Sequence, residues 1–187
     1  MKKKLVAALL MSLAVHLPAH AWDLWDEFKA VNVTPEGRVV DYSDAKLITT
    51  SEGQSYGMFF ALVANDRESF DKIFAWSEKN LGPEQPAWWW GIPDGKKDGQ
   101  GKILDTNNAT DSDMWIAYCL LEAARIWNEP AYETKAKAYM AKLKELVRDV
   151  PTVGKVLLPA RVGFEEKGVV TINPSYYPPF IIRRFAE

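Results

Sequence analysis

The chain has 187 residues, 48% of them hydrophobic and 26% charged, with a formal net charge of -2 at pH 7. That composition describes a globular domain, or part of one, and offers no electrostatic footprint for nucleic acid or an anionic membrane surface. Cys119 is the single cysteine, which excludes an internal disulfide and a metal site built on several thiolates. Residues 1–21 read as a signal peptide: Lys2, Lys3 and Lys4 precede a short apolar run, and Ala19-His20-Ala21 supplies a small-x-small cleavage pattern. The run is too short to span a bilayer, so it implies export to the periplasm or beyond with no membrane anchor. The mature chain then begins at Trp22.

Residues 22–30 place Trp22, Leu24, Trp25 and Phe28 at helical spacing. Residues 31–46 are irregular, with an extended stretch at 37–41. The next segment is Thr49-Thr50-Ser51-Glu52-Gly53-Gln54-Ser55-Tyr56-Gly57-Met58. Thr50 or Ser51 can cap a helix here, and Glu52 in its first turn suits the helix dipole. Gly53 and Gly57 clear one face of that helix at about 0.8–1 kcal/mol each relative to Ala. Close approach of another backbone, or a ligand lying across the face, would justify them. That helix fades at Asn65-Asp66. A second, over 68–80, aligns Phe70, Ile73, Phe74 and Trp76 and stops at Leu81-Gly82-Pro83. Together they make a helical hairpin.

Pro86-Ala87-Trp88-Trp89-Trp90-Gly91 opens a long loop that runs to Asn107-Asn108. Loops of that length are functional or disordered, and three adjacent tryptophans argue against disorder. Flat rings outside a core suit stacking on sugar faces, although a protein interface would use the same composition. Ala109-Thr110-Asp111-Ser112-Asp113 starts the next helix, with Thr110 or Asp111 as its cap. Ile116, Leu120, Ala123 and Trp127 line its buried face. A further helix over 131–150 buries Tyr139, Leu143, Leu146 and Val147 and completes a second hairpin. Residues 153–159 and 169–172 read as short strands around Glu166-Lys167-Gly168. Asn173-Pro174-Ser175-Tyr176-Tyr177-Pro178-Pro179 then leads into Phe180-Ile181-Ile182. The recurring order of helix, short turn, helix and long loop favours an all-α architecture over an α/β sheet.

TTSEGQSYGM resembles the acid-bearing segment of glycoside hydrolase family 8, and ATDSDMWIAYCLLEAARIW resembles that family's signature helix. GRVVD and NPSYYPP extend the likeness, which runs from about Trp22 to the last residue. The resemblance implies part of an (α/α)6 barrel with a small β-hairpin insertion, so residues 22–187 would be the N-terminal part of a catalytic domain. It implies endo-acting, inverting hydrolysis of β-1,4-glucan without a cofactor, Glu52 as general acid and Asp111 as an active-site carboxylate. Tyr56, one of Trp88, Trp89 and Trp90, and Tyr176 would bind substrate. Asp113 would be structural. Ser112 and Cys119 depart from the family pattern, but towards other small residues. The family's base segment, S-Y-D-A-x-R, does not occur in the chain, which suggests a truncated enzyme lacking its base. The details lean towards the cellulose-synthesis branch of the family, which brings the cellulose-synthesis machinery into view as a second partner. Chitosan or xylan as substrate, and a non-catalytic glucan-binding module, are the alternatives.

Overall fold

The computed structural model describes residues 22–96 and 98–187. The signal-peptide reading falls on residues outside that set. Helix α1 covers Asp23–Asn32. Helices α2 (Ser51–Val63) and α3 (Arg67–Asn80) form one hairpin; α4 (Thr110–Trp127) and α5 (Pro130–Glu145) form another. Helix α6 (Pro179–Ala186) follows. α2 packs against both α3 and α4, and α4 against α5, so α2 and α4 lie side by side with their hairpin partners attached. The helical core is as the periodicity requires: Met58, Ala61, Phe70, Ile73, Ile116 and Leu120 are fully buried.

The turns follow from local chemistry. Asn65 and Asn128 adopt left-handed backbone angles that asparagine tolerates better than most residues. Asp66 caps α3 by accepting from the Ser69 N–H at 3.0 Å, and Pro130 occupies the first turn of α5, where a missing N–H costs nothing. Asp66 also joins α1 to this hairpin. Its Oδ2 accepts from Trp25 Nε1 at 3.1 Å and from Lys29 Nζ at 2.8 Å. Trp25 is therefore the buried anchor of α1, while Trp22 and Leu24, expected on the same face, are exposed.

Three stretches depart from the sequence reading. The long loop after α3 carries two strands, β2 (Trp89–Gly91) and β3 (Lys102–Asp105), which join β1 (Thr49–Thr50) in an antiparallel sheet of order β1-β2-β3. Thr49 pairs with Trp90 and Thr50 with Trp89, so this sheet brings the tryptophans to the start of α2. The helix expected over 131–150 ends at Glu145. Val147–Val150 forms β4, which pairs with β5 (Gly154–Leu157) and leaves Val147 exposed. β-branched Val147 and Val150 favour that extended conformation. Finally, β6 (Glu165–Glu166) pairs with β7 (Val169–Val170) across the left-handed residues Lys167 and Gly168. The single expected hairpin insertion is thus two hairpins, beside the three-stranded sheet.

Candidate active site

Glu52 and Asp111 occupy corresponding places: each lies in the first turn of one of the two adjoining helices, α2 and α4. Thr50 is the α2 cap, its hydroxyl accepting from the Gly53 N–H at 3.0 Å. Neither Thr110 nor Asp111 caps α4, because Ala109 holds that position. The Thr110 hydroxyl instead donates to Leu158 O at 2.9 Å, and Asp111 Oδ1 accepts from the Ser112 N–H at 2.7 Å. Both helix N-termini face one cleft of about 350 Å³, lined by Glu52, Trp88, Asn107, Asp111, Phe164 and Tyr176 among others. Positive helix ends at a cleft favour carboxylates and anionic charge developing there.

Glu52 is exposed and also borders a second concavity of about 380 Å³, formed with Phe28, Asn32, Asp41, Tyr56 and Phe60. It therefore stands on the ridge between two hollows. Neither Tyr56 nor the flanking glycines bury it. At Gly57 an added Cβ would lie 2.8 Å from Val39 Cγ2, so a side chain of the protein, and not a ligand or a neighbouring backbone, occupies that space. Tyr56 does contact Glu52: burial, then the charge of Glu52 and the hydrogen bond to it, push the Tyr56 phenol up to about 12. The phenol keeps its proton at any working pH and donates.

Asp111 is half-buried, and desolvation raises its carboxyl above the ordinary value against the Ser112 N–H, with Glu52 adding to the rise. Tyr176, in a 3-10 turn over Pro174–Tyr176, is raised by burial and then by Asp111 and Glu52. Four of the expected residues, Glu52, Tyr56, Asp111 and Tyr176, thus share one electrostatic environment. It is Tyr177 that is tied down for packing, its hydroxyl donating to Leu157 O at 2.5 Å.

The three tryptophans separate. Trp88 lines the cleft, held by its backbone: its N–H donates to Asn107 O at 2.8 Å and its carbonyl accepts from the Ser51 N–H at 3.1 Å. Its ring stacks on Trp89 at 5.2 Å, and Lys46 Nζ lies 5.3 Å from the Trp89 ring centroid. Trp90 belongs to the scaffold. Arg38 lies 4.2 Å over its ring, Trp76 meets it edge-on at 5.3 Å, and a Cβ on Gly101 would come within 1.9 Å of it. A register shift between Trp89 and Trp90 breaks the alternation that would otherwise have set their faces.

Sequence reading missed Gln54. It is fully buried, its Oε1 accepts from the Val39 N–H at 2.6 Å, and its Nε2 is shared among Gly37 O, Ile73 O and Ser77 Oγ. It stitches the segment before β1 and helix α3 onto α2, behind Glu52. A glutamine two residues after Glu52, between Gly53 and Gly57, was the available signal. Asn108 was also missed, since an Asn-Asn pair reads as loop punctuation. An apolar groove of about 390 Å³ lined by Met114, Leu143, Val156 and Phe185 has no carboxylate in its walls and lies apart from these residues. Among the described residues, no cluster of His, Cys, Asp and Glu has the geometry of a metal site, and no helix is long and apolar enough to cross a membrane.

Two helical hairpins thus present a pair of carboxylates and a stacked pair of aromatic rings at one open cleft. The family model for glycosyl hydrolases family 8 matches residues 1–187, and the chain belongs to that family. It is 44% identical to an endoglucanase of Escherichia coli O157:H7, over 100% of this chain and 52% of that protein. The crystal structure of endo-1,4-D-glucanase from Vibrio fischeri ES114 superposes with a TM-score of 0.80 at 45% identity, covering 88% of this chain and 48% of that one. Endoglucanase Cel10 from Klebsiella pneumoniae, a family 8 glycosyl hydrolase, gives 0.79 at 31% identity over 88% and 52%. The chain spans about half the length of the curated relatives it matches. Its helices are accordingly part of an (α/α)6 barrel.

Proposed function

We propose that the chain carries the acid-bearing side of an endo-acting, inverting β-1,4-glucanase. The observation behind this reading is the convergence of Glu52 and Asp111, from two helix N-termini, on a cleft that also holds Trp88 and Tyr176. Glu52, on the ridge between two hollows, is placed for a chain that runs across it with sugars on either side. A sugar lying there would exclude water from the bond to be cleaved. Glu52 then gives its proton to the glycosidic oxygen as the bond to the anomeric carbon breaks. Water attacks that carbon from the opposite face and loses its proton to a base, with about 6.5–9.5 Å between the two carboxyl groups.

Asp111 serves in this scheme to hold the distorted sugar by hydrogen bonds, and its charge stabilises the oxocarbenium-like transition state. Trp88, stacked on Trp89, provides a flat platform; Tyr176 borders the reacting sugar; Tyr56 orients Glu52. Trp90 supports the sheet from behind. The S-Y-D-A-x-R segment is absent from the 187 residues, so the chain by itself should bind glucan and cleave it poorly. Export rests on the pattern of residues 1–21, and contact with the cellulose-synthesis machinery on the family likeness; both are parts of this proposal.

Azide gives a direct test, because it attacks carbon without needing a base. Cellopentaose incubated with the mature chain should turn over slowly, and azide should accelerate cleavage to the α-glycosyl azide, the inverted product. Glu52→Gln should abolish both rates and leave cellopentaose affinity in place. Binding with no cleavage under either condition would instead favour a glucan-binding module. Cleavage of chitosan or xylan oligomers in preference to cellopentaose would move the substrate within the family.

A further inference from the structure

The scheme above leaves Asp113 without a task, yet it is a fully buried carboxyl in the first turn of α4, two residues beyond Asp111. Asn108 Nδ2 donates to its Oδ2 at 2.6 Å. The orientation of that amide is fixed from the other side, since the Arg161 N–H donates to Asn108 Oδ1 at 2.8 Å. The same two segments are joined again close by. Asn107 Nδ2 donates to Val162 O at 3.0 Å, and the Thr110 N–H donates to Pro159 O at 2.9 Å. Asn107, Asn108, Pro159 and Ala160 form the cleft wall beside Asp111.

We infer that Asp113 is a neutral carboxylic acid in the folded protein and a positioning residue. Through Asn108 it fixes the two cleft-wall segments, 106–109 and 158–162, against Asp111. An ionised carboxylate buried this deeply needs several donors. Asp113 has one amide, and among the described residues no donor reaches its Oδ1. Three other groups face it. Asp111, on the same helix, repels a second negative charge. Tyr139, on α5, is buried with its proton retained. Arg161 attracts, but it is exposed and its guanidinium donates to Thr106 O at 2.5 Å. Burial pushes the Asp113 carboxyl well above the usual range; the Asn108 bond opposes this, Asp111 adds to it, and Arg161 only partly offsets it. A neutral Asp113 also keeps a second charge away from Asp111, a benefit that rests on the function proposed above.

The sign of the linkage makes this testable without activity. A carboxyl whose folded pKa is raised gives stability that is complete below the unfolded value of about 3.9 and is lost as pH rises towards the folded value. Urea unfolding of the wild type and Asp113→Asn, compared from pH 4 to pH 8, should show the wild-type folding constant falling relative to the variant. The fall should approach tenfold per pH unit. Carboxyl 13C NMR of the wild type should show Asp113 still protonated at pH values where an ordinary aspartate is already ionised, whether or not the variant folds. A ratio independent of pH, or one that favours the wild type as pH rises, would overturn the neutral acid, as would an ionised carboxyl signal. For positioning, hydrogen exchange at the Arg161 amide should accelerate in Asp113→Ala and stay slow in Asp113→Asn, and cellohexaose affinity should fall with the former alone. Unchanged Arg161 exchange in Asp113→Ala would remove the positioning role. Absence of cellohexaose binding by every form would count against the proposed function, while the exchange and urea results would still decide the role of Asp113.

Discussion

Glu52 and Asp111, on neighbouring helices, line one cleft and feel each other's charge: the carboxyl of Asp111 is held up first by its own burial and then by the negative charge of Glu52. Two carboxylates at one site cannot both be anionic at no cost, so protonating either one favours the charge on the other. In Glu52→Gln the repulsion disappears while the burial stays. The Asp111 pKa, followed by carboxyl 13C NMR, should therefore move down yet stay above the ordinary aspartate value. No change on removing Glu52 would mean that the two groups do not share a site.

How much of this was legible in the sequence follows from the reach of each signal. Helix periodicity and caps act over a few residues, so the hairpins around Phe70, Ile73, Ile116 and Leu120 could be read directly. The pairing of Thr49 with Trp90 could not, because it joins residues 41 positions apart and the Trp88-Trp89-Trp90 run shows no polar alternation. Val147 looked like the next step of a helical stripe because periodicity cannot see the partner strand at Leu157. At the site, Glu52 and Asp111 stood out by motif, whereas the contacts of Gln54 and Asn108 depend on segments brought together by the fold. Burial is a tertiary property, so neither the exposure of Glu52 nor the filling of the space at Gly57 by Val39 could be read from the motif.

Asp66 is the electrostatic joint between α1 and α3. Burial alone would raise its carboxyl, but hydrogen bonds from Lys29, Ser69 and Trp25 outweigh that and hold it well below the usual carboxylate range. A depressed folded pKa gives stability that is present above the unfolded value of about 3.9 and is lost as pH falls towards the folded one. Asp66→Asn should thus cost about 2 kcal/mol at pH 7, from a weakened cap and a lost ion pair. The gap from wild type should narrow below about pH 4. Thermal melts at pH 3 and pH 7 would show this, and an equal difference at both would refute the charged partner.

Gln54 is the buried polar group whose loss should be felt most. All of its hydrogen-bonding atoms are used, and its partners, Val39 N–H, Gly37 O, Ile73 O and Ser77 Oγ, come from two other segments. Gln54→Leu would leave the Val39 N–H without its acceptor, and unsatisfied buried groups cost about 1–3 kcal/mol each. We expect a loss of about 3 kcal/mol in urea unfolding, with cello-oligosaccharide binding weakened because α2 carries Glu52. Gln54→Glu should be at least as harmful at pH 7, since it would bury a charge. Full stability in Gln54→Leu would show that water takes over the partners.

Trp88 and Trp90 should answer to different measurements although one residue separates them. Trp88 faces the cleft and its backbone bonds do not depend on the ring, so Trp88→Ala should fold normally. Its loss should weaken cellohexaose binding by about tenfold, the equivalent of about 1.4 kcal/mol for one stacked ring. Trp90 is fastened between Arg38, Trp76 and Gly101. Trp90→Ala would empty that slot and should cost about 3 kcal/mol of stability, in the range of large-to-small core substitutions. Gly101→Ala should reproduce part of that loss by pushing the ring out, since a Cβ would come within 1.9 Å of it. Calorimetric titration and urea melts of the three variants separate the effects. Equal loss of sugar affinity in Trp88→Ala and Trp90→Ala, at unchanged stability, would place both rings on the substrate and undo the division drawn from their packing.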